Sequence, residues 1–184
     1  MAKSVDAPLS DLWQTACTMR ILHVFDHGLP LQNGYTFRTR AILKAQEGLG
    51  WTVAAVTGPR HGVAPASIES VDGLTFHRTA AGVKPGPVGE VVGIAAFAKR
   101  IEAAVDAFKP HILHVHSPVI AAFAALIVAR KRKLPLVYEV RAFWEDAAVG
   151  NGTGTATSMR YRVRRSSAIT GWSTSSPIRA NACG

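Results

Sequence analysis

Apolar and polar residues alternate along this chain in two rhythms, short apolar runs and longer stretches with one apolar stripe per helical turn. Arg20 to Phe25 reads Arg-Ile-Leu-His-Val-Phe, a run suited to a strand buried on both faces of a parallel sheet. The loop from Asp26 to Gly34 contains Gly28, Pro30 and Asn33-Gly34, which break regular structure and permit positive φ. In the helix expected next, Phe37, Ala41, Ala45 and Leu49, with Ile42, share one stripe, while Arg38, Arg40, Lys44 and Glu47 occupy most of the rest. That stripe is expected to pack on the sheet. Trp51 to Thr57, closed by Gly58-Pro59, reads as the second strand and Leu74 to Arg78, after Asp72-Gly73, as the third, with loop between them. Ile94, Ala98, Ile101, Val105 and Phe108 alternate spacings of four and three, which predicts a helix from Val91 to Phe108, ended by Pro110. His111 to His116 is the fourth predicted strand and Pro135 to Val140 the fifth. Between them Val119 to Ala129 is apolar on all sides, as a buried helix is.

Strands alternating with helices imply βαβ units and right-handed crossovers, hence an α/β fold, a Rossmann-like parallel sheet with helices on both faces. A chain of 184 residues fits one domain of ordinary size. With 48% hydrophobic and 18% charged residues it belongs with folded rather than disordered chains. Cys17 and Cys183 both lie in the tails, so no disulfide framework is expected and a reducing cytoplasm fits. Residues 1–18 carry no continuous apolar run and read as a tail, neither signal peptide nor anchor, with Met19 an alternative start. Gly150 to Ser158 reads as a loop before a short basic helix. The formal charge of +9 comes largely from Arg130 to Lys133 and Arg160 to Arg165. The first cluster ends a helix, where cations complement the dipole and stay solvated, so nucleic acid is not an expected partner.

Ligands of open parallel sheets bind outside the carboxyl ends of the strands. Asn33 and Gly34 follow strand one and precede a helix, where backbone N–H groups can receive a phosphate or carboxylate, although an ordinary turn reads the same way. Glycine spacing there fails the dinucleotide fingerprint and no P-loop is present, which disfavours NAD and ATP sites. His111, His114 and His116 are expected to share one side of strand four, with His116, last in the strand, facing the cleft. No carboxylate or cysteine shares the segment, so no metal site is expected. Arg141-Ala142-Phe143-Trp144-Glu145-Asp146 gathers a guanidinium, two aromatics and two carboxylates past strand five. Such a set suits a sugar ring and its hydroxyls, or a phosphate on Arg141; the aromatics alternatively plug the sheet edge.

Arg-Ile-Leu-His-Val-Phe-Asp-His, Gly34, Lys-Pro-His-Ile-Leu-His-Val-His-Ser-Pro and Pro-Leu-Val-Tyr-Glu-Val-Arg-Ala-Phe-Trp-Glu-Asp together resemble the amino-terminal domain of family 4 GT-B glycosyltransferases. The last stretch resembles the subgroup associated with exosortase and exopolysaccharide gene clusters. The resemblance covers Met19 to about Arg162. It implies one GT-B lobe, residues 19–163, in an enzyme that transfers a sugar from a nucleotide-sugar to a glycan or lipid-linked acceptor held largely by this lobe. The transfer implied is metal-independent and usually retaining, needs no cofactor beyond the donor co-substrate, and proceeds in the cytoplasm with possible peripheral contact at the inner membrane face. The family's glycine-rich loop falls on Gly34, beside Asn33, and its donor-side histidine on His116. Arg141, Glu145 and Asp146 match the subgroup and are assigned to the substrate cleft.

The family's carboxy-terminal lobe, which binds the nucleotide, has no counterpart in these residues, and activity of this fragment alone is not expected. The alternatives are a GT-B-like sugar-nucleotide epimerase and a non-catalytic glycan-binding module. Residues 164–184 have no amphipathic period. Read back through GC-rich codons from Arg165 in a shifted frame, they permit a string resembling the family's next helix and strand. That tail is therefore expected to be out of frame, with a natural truncation as the alternative.

Overall fold

The computed structural model describes residues 18–80, 82 and 86–141. Its elements are β1 (Arg20–Phe25), α1 (Gly34–Gly48), β2 (Thr52–Thr57), a 3-10 turn (Pro59–His61), β3 (Ile68–Val71), β4 (Leu74–Arg78), α2 (Pro87–Phe108), β5 (Ile112–His116), α3 (Val119–Arg132) and β6 (Leu136–Glu139). One sheet runs β3-β4-β2-β1-β5-β6, parallel throughout except for β3 against β4. The chain builds outward from β1 to β4, then crosses through α2 and continues from β5 to β6. The order therefore reverses between β1 and β5, where an α/β sheet opens its ligand crevice.

Two apolar clusters sandwich this sheet. Leu22, Val24, Ala54, Val56, Leu113 and Val115 meet α2 and α3 on one face, and Ile21, Phe25, Val53, Ala55 and Phe76 meet Leu43 of α1 on the other. The alanines of α3 (Ala121, Ala122, Ala124, Ala125 and Ala129) are all buried, and their small side chains let that helix approach closely. Asn33 caps α1, its Oδ1 accepting from the Thr36 N–H at 2.9 Å. Pro87 opens α2 four residues before the sequence reading placed it, at a position where a missing N–H costs nothing. At the other end of α3, Lys131 and Arg132 pair with Glu102 of α2 at 2.7 and 3.0 Å, and Arg132 reaches Asp106 at 2.7 Å. Carboxylates on the same surface thus meet half of the first basic cluster.

Two expectations need correction. The stretch from Gly58 to Leu74 is not all loop, because β3 pairs antiparallel with β4 through Asp72-Gly73 at φ 56° and 75°. This is the two-residue hairpin turn that Asp-Gly favours; β3 is an edge strand with no apolar run, so periodicity passed over it. The stripe of Phe37, Ala41, Ala45 and Leu49 does not face the sheet. Phe37 is 54% exposed and Leu49 68%, while Thr36, Thr39 and Leu43 are the buried residues of α1. The helix is rotated because the sheet beneath it is partly polar, with His23 in the middle of β1 bonded to Gln46 of α1.

The rotation is testable by denaturant unfolding. Leu43→Ala is expected to cost about 2–5 kcal/mol, the range for an emptied core leucine site. Phe37→Ala should stay near 0.5 kcal/mol, as exposed changes do. A larger loss at Phe37 than at Leu43 contradicts this orientation.

Candidate functional site

Side chains of a strand alternate between faces, and paired residues of neighbouring strands share one. His23 pairs with His114, and His116 with Glu139, so these four lie together on the α1 face of β1, β5 and β6. His111 does not join them. It precedes β5, three residues from His114, and its Nδ1 accepts from the Arg20 backbone N–H at 3.2 Å.

Proton placement in this group follows by elimination. Arg141, just past β6, can only donate, and its Nη2 lies 2.5 Å from His116 Nδ1. His116 therefore carries its proton on Nε2 and donates it to His23 Nδ1 at 3.0 Å. His23 in turn donates from Nε2 to Gln46 Oε1 at 2.7 Å. Burial keeps all three imidazoles neutral. Desolvation, then the nearby His114, holds His23 down at about 3, and the same causes in the same order hold His116 lower still. Desolvation also lowers His114, partly opposed by Glu139. Since His116 is neutral with Nδ1 as acceptor, its 3.0 Å contact with Glu139 Oε2 is not an ion pair. Glu139 is balanced by Arg141 Nε at 2.9 Å, by Arg38 at 3.4 Å and by His114 Nε2, which donates at 3.3 Å.

His23, His114 and His116 each have a ring nitrogen within 4.8 Å of the others, the spacing of a metal-ligand set. Their orientation argues otherwise. His114 and His116 stack with centroids 4.3 Å apart and planes 28° apart, so their in-plane lone pairs run side by side instead of meeting. The closest nitrogens, His23 Nδ1 and His116 Nε2, already share a proton.

The predicted site residues fall as follows. Arg141 and His116 touch, and Arg141 lies over the Tyr35 ring at 5.2 Å, which brings it toward the start of α1, where Asn33 and Gly34 stand. His116 occupies the end of β5 as expected, but its ring is fully buried and lies beneath the cleft surface instead of facing it. Asn33 is committed to the helix cap and to His27, its Nδ2 lying 3.1 Å from His27 Nε2. Neither Gly34 nor Gly28 has positive φ. An added Cβ at Gly34 meets nothing within 4 Å, whereas one at Gly28 meets Phe76 at 3.2 Å, so at 28 it is space, not torsion, that favours glycine. Glu145 and Asp146, like Phe143, Trp144 and residues 164–184, lie outside the described residues.

Sequence reasoning missed several groups at the same edge. The Asp26 carboxylate, largely buried at the end of β1, has Arg60 at 3.8 Å and His27 at 3.4 Å. Arg78, almost wholly buried at the end of β4, pairs with Glu69 at 2.8 Å, donates to the Leu29 carbonyl and stacks on Phe76. It pins the loop after β1 to the hairpin. His23 and Gln46 were overlooked because a strand interior and a helix face read as packing alone.

Histidines buried neutral bind fewer protons folded than unfolded, so stability is fully present above the unfolded pKa near 6.5 and is lost as pH falls toward the folded value. His23, held at about 3, and His61, held at about 4 mainly by desolvation, both predict this loss. The unfolding free energy should fall from pH 6.5 to 4 with a slope of up to about 1.4 kcal/mol per pH unit for each histidine. His23→Gln should reduce that slope by one histidine's share and leave the part due to His61. A level profile contradicts the neutral, buried assignment.

A glycosyl transferase 4-like domain model matches residues 33–174, a span that includes Asn33, Gly34, His116 and Arg141 and runs into the segment set apart at 164. No curated protein matches the chain. Among solved structures, it is similar to the sucrose-phosphate synthase of Thermosynechococcus elongatus, with TM-score 0.58, 13% identity, and coverage of 78% of this chain and 39% of that one. It is also similar to the calicheamicin glycosyltransferase, with TM-score 0.50, 13% identity, and coverage of 88% and 43%. The chain thus spans about two fifths of the structures it matches. At that identity the likeness speaks to fold alone, a Rossmann-like lobe of the GT-B kind. Among the described residues no helix is long and apolar enough to cross a membrane. By the family match over most of its length, the chain belongs to the glycosyl transferase 4-like domain family.

Proposed function

We propose that this lobe serves the transfer of a sugar from a nucleotide-sugar to a glycan or lipid-linked acceptor, and that its carboxyl-edge groups hold the acceptor side. The match over residues 33–174 carries this reading. The crevice between β1 and β5 supports it, because Arg141 lies there and α1 starts at its rim. Gly34 leaves open space before the α1 backbone, where an anionic substrate group fits. The finer features follow from the resemblance: retention of configuration, no metal, the exopolysaccharide-linked subgroup, nucleotide recognition by a carboxy-terminal lobe, and work at the inner face of the membrane. Glu145 and Asp146 belong to the cleft on the same ground. In such a reaction the charge developing on the leaving phosphate needs preorganised donors, and this lobe alone is expected to bind without turning over. His116 contributes from beneath the surface, through the groups it holds.

Titration calorimetry of this chain with free and lipid-linked glycans tests the reading. Saturable binding is expected, tighter than that of UDP- or GDP-sugars. Tight nucleotide-sugar binding with no response to any glycan contradicts it. Gly34→Val should weaken acceptor binding by on the order of tenfold, about 1.4 kcal/mol, while leaving the unfolding midpoint in place. Unchanged affinity removes Gly34 from the site.

A further inference from the structure

Arg141 is gripped along two edges of its guanidinium and unpartnered, among the described residues, on the third. Nε donates to Glu139 Oε1 at 2.9 Å and Nη2 to His116 Nδ1 at 2.5 Å, while the plane lies over Tyr35. The backbone N–H is held as well, donating to Ser117 Oγ at 3.1 Å. Nη1 is buried and, among the described residues, has no hydrogen-bond partner, on a side chain only 7% exposed. A charged donor left unpaired in this way is costly, and an acceptor oxygen supplied from outside removes the cost.

Charge and proton placement both select an anion. Among the described residues two guanidiniums, Arg38 and Arg141, face one carboxylate, Glu139, and the three histidines add no charge, so positive charge is in excess there. The chain from Gln46 through His23 to His116 fixes the tautomer that presents Nδ1 as an acceptor. With the opposite tautomer the Nδ1 proton would turn to Glu139 Oε2, 3.0 Å away, and Arg141 Nη2 would lose its acceptor.

We propose that Arg141 Nη1 binds an oxygen of a substrate phosphate, and that Gln46, His23 and His116 are positioning residues that hold the guanidinium for it. This deepens the transferase reading and rests on it for the choice of phosphate. The source is the phosphate of a lipid-linked acceptor or that of the nucleotide donor, and the test separates them.

The experiment measures equilibrium binding of farnesyl phosphate, farnesol and UDP to the whole chain and its variants, with circular dichroism to verify folding. At least one phosphate compound should bind, and Arg141→Gln should weaken it about tenfold or more, leaving farnesol unaffected. Loss on farnesyl phosphate assigns the clamp to the acceptor, loss on UDP to the donor. For the positioning residues, His116→Leu should weaken phosphate binding about tenfold, and His116→Asn, whose Oδ1 can still accept from Arg141, should restore most of it. If His116→Leu fails to fold, Gln46→Leu at the far end of the chain replaces it, with an expected loss of a few-fold. Phosphate binding indifferent to Arg141, or no phosphate binding at all, overturns the clamp. If glycans still bind, the transferase reading survives that failure; if glycans do not bind but the Arg141-dependent phosphate contact does, the transferase reading fails alone.

Discussion

His23 stands in the middle of β1 with no surface exposed to solvent, and a buried imidazole needs a partner for each nitrogen or else costs several kcal/mol. Its position in the strand is set by the sheet, so the partners have to come to it. One is Gln46, which explains why α1 turns its threonines and glutamine inward and leaves Phe37 and Leu49 outside. The other is His116, the last residue of β5. That second bond settles which nitrogen of His116 is free, and the free nitrogen receives Arg141. One buried histidine thereby connects the orientation of a helix to the placement of a guanidinium at the carboxyl edge.

The topology gives this chain its location. Reversal of strand order between β1 and β5 places His23 and His116 on the two strands that flank the crevice. Away from that seam the sheet is built conventionally, with aliphatic residues on both faces and the alanine-rich α3 pressed close behind β5 and β6. On the α1 face the polar seam gives up packing for hydrogen bonds, as Arg78 with Glu69 does at the end of β4. Burying polar groups is favourable where they are fully satisfied; among the described residues Arg20 Nε, Thr36 Oγ1, Thr79 Oγ1, Arg100 Nε and Arg141 Nη1 are buried without a partner, and the last of these lies at the cleft.

Much of the fold was legible because parallel strands buried on both faces leave continuous apolar runs. Arg20–Phe25, Leu74–Arg78 and the body of α2 emerge from the sequence within a few residues of their observed bounds. β3 was not legible, since an edge strand alternates weakly, although Asp72-Gly73 marked its turn. The face of α1 was misread because the period of the apolar residues was sound but the face it packs against is polar, and pattern alone assumes an apolar target. At the site, Arg141 and His116 were visible as polar residues at strand ends. Their contact was not, because the two residues are 25 apart in sequence and meet only through the pairing of β5 with β6 in one register. His23 and Gln46 gave no signal of their own, as each is ordinary in its element and becomes informative only beside the other.

The claim on which the account rests most is that His23 and His116 are neutral, single tautomers that transmit their proton placement to Arg141. Nitrogen-15 chemical shifts of the histidine rings, followed from pH 8 to pH 5, measure this directly. Both residues are expected to show a protonated Nε2 and an unprotonated Nδ1 that do not change over that range. Shifts averaged between tautomers, or an imidazolium signal growing in for either ring within that range, contradict it.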